Sequence, residues 1–266
     1  MQGSRQHFAL LRRSILRKRP LLKPKSTISL LAWNWNKGVK LPNSSWNGTI
    51  AAHFEAQMIE FYTWSTPNGR KVSIMLEECG LPYAAHPIDI NKNEQFTPAF
   101  LKMSPNNRIP AILDTDNGQT LFESGAILMY LAQKTGKFWP KEGEAHWRTA
   151  EWLMWQMGGY GPMLGQVHHF VKYNKGKAPY AEDRYLAEAK RLYGVLDRRL
   201  AVVDYVAGDY SIADMAIWPW TSRFEWQSID LKDYPNVMRW YRAIAARPAV
   251  IKGYHVPIVQ PAIPMP

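Results

Sequence analysis

From residue 58 onward, alternating apolar residues occur only in the stretch that ends at Phe122, and that confinement limits the fold more than any other feature. Ile59, Phe61 and Thr63 alternate as a first strand, and Ala84, His86, Ile88 and Ile90 as a second. Between them, Val72, Met75, Leu76 and Cys79 have the i, i+3, i+4, i+7 spacing of one helix face, which predicts a helix over residues 70–79 stopped at Leu81-Pro82. Residues 97–103 suit a short helix ending at Ser104-Pro105. Ala111–Asp114 follows as a third strand, Asn117-Gly118 as a hairpin turn, and Thr120-Leu121-Phe122 as the returning fourth strand. Ser124–Thr135 then has its apolar residues at helical spacing.

The order is βαβ, then α, ββ, α, a thioredoxin-like α/β layout with a mixed sheet between helices. Residues 136–144 suit a linker. Beyond them the spacing is helical, over residues 145–157 and 180–203, so the second half is expected to be all-α. Ser211-Ile212-Ala213-Asp214 has the pattern of a capping box opening a helix that contains Pro219, where a kink is expected. Residues 236–246 form the last expected helix, stopped at Arg247-Pro248. Four prolines from Pro257 predict an extended end. The expected units are a basic extension over 1–57, a thioredoxin-like domain over 58–136, a helical domain over 145–250 and an extended tail over 251–266.

Two points in the first half suit a ligand. Ile109-Pro110 precedes a strand, a favourable place for a cis peptide that turns the backbone groups of Ile109 outward. Glu123-Ser124 opens a helix, so a carboxylate, a hydroxyl and free helix N–H groups meet. Together they suit a peptide-like molecule with both an ammonium and a carboxylate. Thr66-Pro67-Asn68 stands at another helix start, where a cap followed by proline needs no ligand.

The single cysteine, Cys79, excludes an internal disulfide, a CxxC redox pair and a cysteine-based zinc site, and its spacing places it in a core. His168-His169 brings no third metal ligand. Gly158-Gly159-Tyr160-Gly161-Pro162 lacks the lysine and hydroxyl of a phosphate loop and is expected to break a long helix. The many tryptophans suit packing, some of them around a second-substrate pocket. The net charge of +11 is not spread evenly. Residues 1–54 hold ten Lys or Arg and no acid, so the remainder is near neutral and offers no broad basic face to nucleic acid. The arm is compatible with an organellar transit peptide, with a basic tail, or with a start of translation at Met58. No apolar run is long enough to span a bilayer.

Five segments in order carry a family resemblance over about residues 58–250. They are Thr66-Pro67-Asn68-Gly69, the run Ser104-Pro105-Asn106-Asn107-Arg108-Ile109-Pro110-Ala111-Ile112, then Phe122-Glu123-Ser124-Gly125-Ala126-Ile127, Gly161-Pro162-Met163-Leu164-Gly165-Gln166, and Ser211-Ile212-Ala213-Asp214. The chain resembles the glutathione transferases, the Nu class most of all. The resemblance implies glutathione as cosubstrate, no metal, a homodimer, and a cytoplasmic enzyme unless residues 1–57 are a transit peptide. It favours glutathione-dependent disulfide reduction, with conjugation to electrophiles or peroxide reduction also compatible. A glutathione-fold binding protein without turnover is the alternative. Thr66 and Asn68 are implied to act at the glutathione sulfur, with Ser65 and Tyr62 as rival hydroxyls. Gln95, Ile109, Pro110, Glu123, Ser124 and Arg184 are implied to hold the rest of the tripeptide. Because a thiol reacts as its thiolate, a helix N-terminus and an amide or hydroxyl donor are the groups such chemistry needs.

Overall fold

A computed structural model describes residues 58–266; the basic arm read at residues 1–57 lies outside the described residues. β1 (Ile59–Thr63) buries Ile59, Phe61 and Thr63 on one face, as its alternation requires. α1 (Pro67–Cys79) starts three residues earlier than the apolar spacing marks. Thr66 accepts a hydrogen bond from the Gly69 N–H, and Pro67 occupies the first turn, where its missing N–H has no cost. Gly80 closes α1 at φ 68°, a left-handed position that suits glycine.

β2 (Tyr83–Pro87) pairs parallel with β1, while β3 (Ala111–Asp114) and β4 (Gln119–Phe122) complete a sheet of order β2-β1-β3-β4 with antiparallel neighbours. The second strand is shorter than expected. The Ile88 N–H makes the last bond to Thr63, and Ile90 already belongs to a 3-10 turn capped by Asp89. β2 is an edge strand, so the alternation through Ile90 had no second neighbour to pair with. α2 (Pro98–Met103) packs against β4 and α3 (Ser124–Thr135) against β3 and β4, while α1 packs on α3 and shares the core with β1 and β3. The result is a thioredoxin-like mixed sheet followed by helices.

In the helical part, the sequence predicts a break at residues 158–162 and the structure has none. Residues 143–173 are helical throughout: α4 (Gly143–Trp155), a π turn at Gln156–Tyr160, α5 (Gly161–Val167) and a second π turn at His168–Tyr173. Pro162 would clash with the Gly158 carbonyl in a regular α-helix. The wider π turn before it removes that conflict, so the helix continues.

α6 (Pro179–Leu200) and α7 (Ile212–Thr221) follow. α7 opens on the expected capping box and keeps Pro219 inside its last turn. α8 (Pro235–Ala245) is not the last helix. Arg247-Pro248 starts α9 (Pro248–Tyr254), because proline is as good a first helical residue as a terminator. Residues 251–254 are therefore helical, not part of an extended tail. α9 lies so close to α1 that a Cβ on Gly253 would stand 2.8 Å from the Ile74 backbone nitrogen. Ser73 donates to the Gly253 carbonyl at 2.7 Å, and Arg247 forms a two-bond pair with Glu78 at 2.6 and 2.9 Å. One continuous apolar core joins the sheet half to the helical half, from Ile59 to Tyr254.

Candidate active site

A cleft of about 700 Å³ lies where α1 and α3 meet the long helix and α7. It has the size of small-molecule sites, about 300–1,000 Å³. Five of the residues marked in the sequence line it: Asn68, Ile109, Pro110, Glu123 and Ser124. Three do not: Thr66, Gln95 and Arg184.

The Ile109-Pro110 peptide is cis. Ahead of it, Ser104 donates its hydroxyl to the Arg108 carbonyl at 2.8 Å and accepts from the Arg108 N–H, which holds the loop against α2. Neither backbone group of Ile109 has a hydrogen-bond partner among the described residues. Glu123 stands at φ 69°, ψ 111°, an uncommon backbone state for a residue with a Cβ. It precedes α3 without capping it. The N–H groups of Ser124, Gly125 and Ala126 have no acceptor among the described residues, so the start of α3 is an open anion site with a carboxylate at its lip. Gly125 packs under Met157, and a Cβ there would meet the Met157 side chain at 3.0 Å.

The other pole of the cleft is the start of α1. Asn68 accepts from the Trp220 indole N–H at 3.1 Å. An indole is only a donor, so the Asn68 oxygen is committed to it and the Nδ2 amide is left to donate. The Asn68 main-chain N–H also has no acceptor among the described residues. Two donors and a positive helix end therefore converge at this point. The Thr66 oxygen accepts the cap bond from the Gly69 N–H, which leaves the Thr66 O–H free to donate. Of the rival hydroxyls, Tyr62 stacks on His86 in the sheet at 4.7 Å, and Ser65 Oγ is buried without a partner among the described residues. Gln95 is 8% exposed, so it is not a solvated loop amide, and its oxygen lacks a partner within the described chain. Arg184 is exposed on the second turn of α6.

Known families agree with this geometry. The N-terminal domain of the glutathione S-transferases matches residues 66–134, and their C-terminal domain matches residues 160–248. The chain belongs to the glutathione S-transferase family. It is 50% identical over 198 residues to the disulfide-bond oxidoreductase YfcG of Escherichia coli, covering 72% of this chain and 92% of that protein. The disulfide-bond oxidoreductase YghU of the same organism is 37% identical over 244 residues, covering 83% and 85%. A Pseudomonas putida glutathione transferase crystallised with one glutathione disulfide per subunit superposes with a TM-score of 0.72 at 43% identity, covering 78% of this chain and 94% of that one.

Within this glutathione S-transferase cleft, several lining residues escaped the sequence reading. The most consequential is Lys71. Its ammonium end is buried, 2.7 Å from Gln156 Oε1, 3.3 Å from Ser124 Oγ and 3.3 Å from Met157 Sδ. Burial pulls its pKa down to about 7, against the pull of Glu123 in the other direction. One signal was available: Lys71 lies four residues before Met75, on the apolar face of α1. Gln156 and Met157 had no such signal, because they reach the cleft through the π turn. Arg108, next to the Ile109-Pro110 peptide, also lines the cleft. His168 is buried and held neutral, its pKa lowered to about 4 by desolvation and then by Arg223. Cys79 lies on the core face of α1, with burial raising its pKa, and does not line the cleft. Among the described residues no cluster of three His, Cys, Asp or Glu forms a metal site, and no helix is long and apolar enough to cross a membrane.

Proposed function

We propose that this chain is a glutathione-dependent disulfide reductase. The observation that carries the reading is a cleft with an anion site at each of two helix starts and no protein thiol in it. Such a site suits a substrate that brings its own thiol and carboxylates. The disulfide-bond oxidoreductases among its relatives support the choice of reaction.

In this reading Glu123 takes the α-ammonium of the γ-glutamyl group. The Ser124 hydroxyl and the first N–H groups of α3 take its α-carboxylate. The free backbone groups of Ile109 pair with the cysteinyl amide. The sulfur then falls at the start of α1, where the Asn68 Nδ2 and main-chain N–H donate to the thiolate and favour it over the thiol. Arg108, on the cleft wall, is the cation available to the glycine carboxylate; Gln95 and Arg184 are not brought to the cleft within one subunit.

The bound thiolate attacks one sulfur of a disulfide, forms a mixed disulfide and expels the other sulfur as a thiolate. A second glutathione thiolate attacks the glutathione sulfur of that mixed disulfide, giving glutathione disulfide and the second product thiolate. The two protons lost by glutathione end on the two product thiols. Cys79 takes no part.

The functional unit is proposed to be a homodimer. Trp147 and Met154 stand seven residues apart on one face of α4, both exposed, and Phe122 is exposed on β4. Sedimentation velocity reads this directly, and a monomer at micromolar concentration would refute it.

The test of function is glutathione-dependent reduction of hydroxyethyl disulfide, run beside aryl-halide conjugation. Reductase turnover that survives Cys79→Ala is expected. Glutathione binding without turnover in either assay would instead indicate a binding protein.

A further inference from the structure

We propose that Lys71 is a positioning residue that takes up a proton when a carboxylate docks at the start of α3, so that glutathione binding weakens as pH rises above neutrality. This deepens the glutathione reading and rests on it.

Lys71 is 1% exposed, yet its Nζ sits in the wall of the cleft directly behind Ser124. Three acceptors surround it: Ser124 Oγ, Gln156 Oε1 and Met157 Sδ, the last a weak one. That is the number an ammonium group donates to. Gln156 gives its oxygen to Lys71 and leaves its own Nε2 without a partner among the described residues, so the amide is oriented around a cation. Gly161 makes room for it, since a Cβ there would meet that Nε2 at 2.4 Å.

A fully buried ammonium with no carboxylate bonded to it is poorly stabilised, and its pKa falls accordingly, to about 7. Among the described residues, no element packed on α1 bonds a carboxylate to the Lys71 ammonium. Glu123, at the start of α3, is the acid whose charge reaches Lys71, and it is not among the groups bonded to the Lys71 ammonium. The long helix presents neutral Gln156 and Met157, with His169 further along the cleft wall. The acid of α7, Asp214, is held by Ser211, Val206 and Trp240. α9 offers Lys252 to Glu77 and Arg247 to Glu78, while on α1 itself Arg70 bonds the Tyr254 carbonyl.

A substrate carboxylate at Ser124 supplies the missing anion. Protonated Lys71 then donates to Ser124 Oγ, and the Ser124 O–H is turned outward to the carboxylate. Neutral Lys71 instead accepts that hydroxyl proton and withdraws it from the ligand. The two states differ in what Ser124 offers, which couples the proton to the ligand.

The experiment is calorimetric titration of the full chain with S-methylglutathione, which has no titrating thiol, from pH 6 to 8.5 in buffers of different ionisation enthalpy. Uptake close to one proton at pH 8, little uptake at pH 6, and a roughly tenfold loss of affinity per pH unit above 7.5 are expected. Lys71→Met should abolish the uptake, flatten the pH profile and weaken binding at pH 6 about tenfold or more. Tight wild-type binding with no proton uptake would overturn the inference and leave the glutathione reading standing. So would uptake that persists in Lys71→Met, which would assign it to another group such as His169. If Lys71→Met does not fold, the wild-type profile alone decides. Failure of the wild type to bind S-methylglutathione, glutathione and glutathione disulfide would overturn the glutathione reading and this inference with it.

Discussion

At the scale of single residues, the cleft works by leaving donors unspent. Trp220 occupies the Asn68 oxygen, so the amide has one remaining role, to donate. Asn68→Ala should lower disulfide reductase turnover roughly tenfold to a thousandfold, the range for removing one anion-stabilising donor. Trp220→Phe should lower it less, because the Asn68 amide is then free to turn over; steady-state kinetics with hydroxyethyl disulfide measure both. An unchanged rate in Asn68→Ala would move the sulfur site elsewhere. Lys71 also leaves a mark on stability. Its folded pKa of about 7 lies below the ordinary 10.5, so between those values the unfolded chain holds more protons. Stability from this group therefore rises with pH across that window, and the burden of the buried charge is fully present below it. Thermal melts should show the difference in Tm, Lys71→Met minus wild type, larger at pH 6 than at pH 10.

At the scale of elements, helix ends carry much of the design, and they are used in opposite ways. The start of α7 is closed and structural. Asp214 is buried and accepts from the Val206 and Ser211 N–H groups, the Ser211 hydroxyl and the Trp240 indole. Burial pushes its carboxyl up to about 6 against the opposing pull of those donors. Asp214→Ala would leave two backbone N–H groups and an indole N–H without acceptors inside the core. It should lower stability by about 3 kcal/mol or more, combining a lost cap with unsatisfied buried donors. Calorimetry or urea unfolding reads this, and a loss below about 1 kcal/mol would show that water replaces the carboxylate. The start of α3 is open, its N–H groups unpaired and Glu123 held at positive φ beside them. Binding sites are drawn from elements of this second kind, because groups already satisfied within the fold have nothing to offer a ligand.

At the scale of the whole molecule, one core spans the sheet half and the helical half, with α1 at the joint. α1 packs against α3 of the sheet half and against α7 and α9 of the helical half, so the cleft at its N-terminus is shaped by both halves. The core described here runs from Ile59 to Tyr254. A chain shortened to begin at Met58 is therefore expected to fold, with a melting temperature within a few degrees of the full-length value and the same reductase turnover. A drop of ten degrees or more on shortening, seen by differential scanning fluorimetry, would show that residues 1–57 add to the core.

Local chemistry determined most of the elements. Alternation in β1, the Asn117-Gly118 hairpin, the apolar stripe of α1 and the Ser211–Asp214 box each depend on residues a few positions apart, and all were legible. So was the pairing of Ile109-Pro110 with Glu123-Ser124, because both are short motifs whose backbone consequences are local. The structure alone decided what distant segments do to one another. Pro162 does not break its helix, because a π turn absorbs it, and Pro248 starts a helix instead of ending one, because α9 has α1 to pack against. Trp220 orients Asn68 from 152 residues away, and Gln156 meets Lys71 from 85. Thr66 caps α1 with its oxygen and keeps its O–H to donate; Arg184 carries the right charge, yet α6 holds it out in solvent. A sequence shows which groups a residue owns. Whether those groups are spent inside the fold or left for a ligand depends on partners brought in by packing, and no local pattern encodes that.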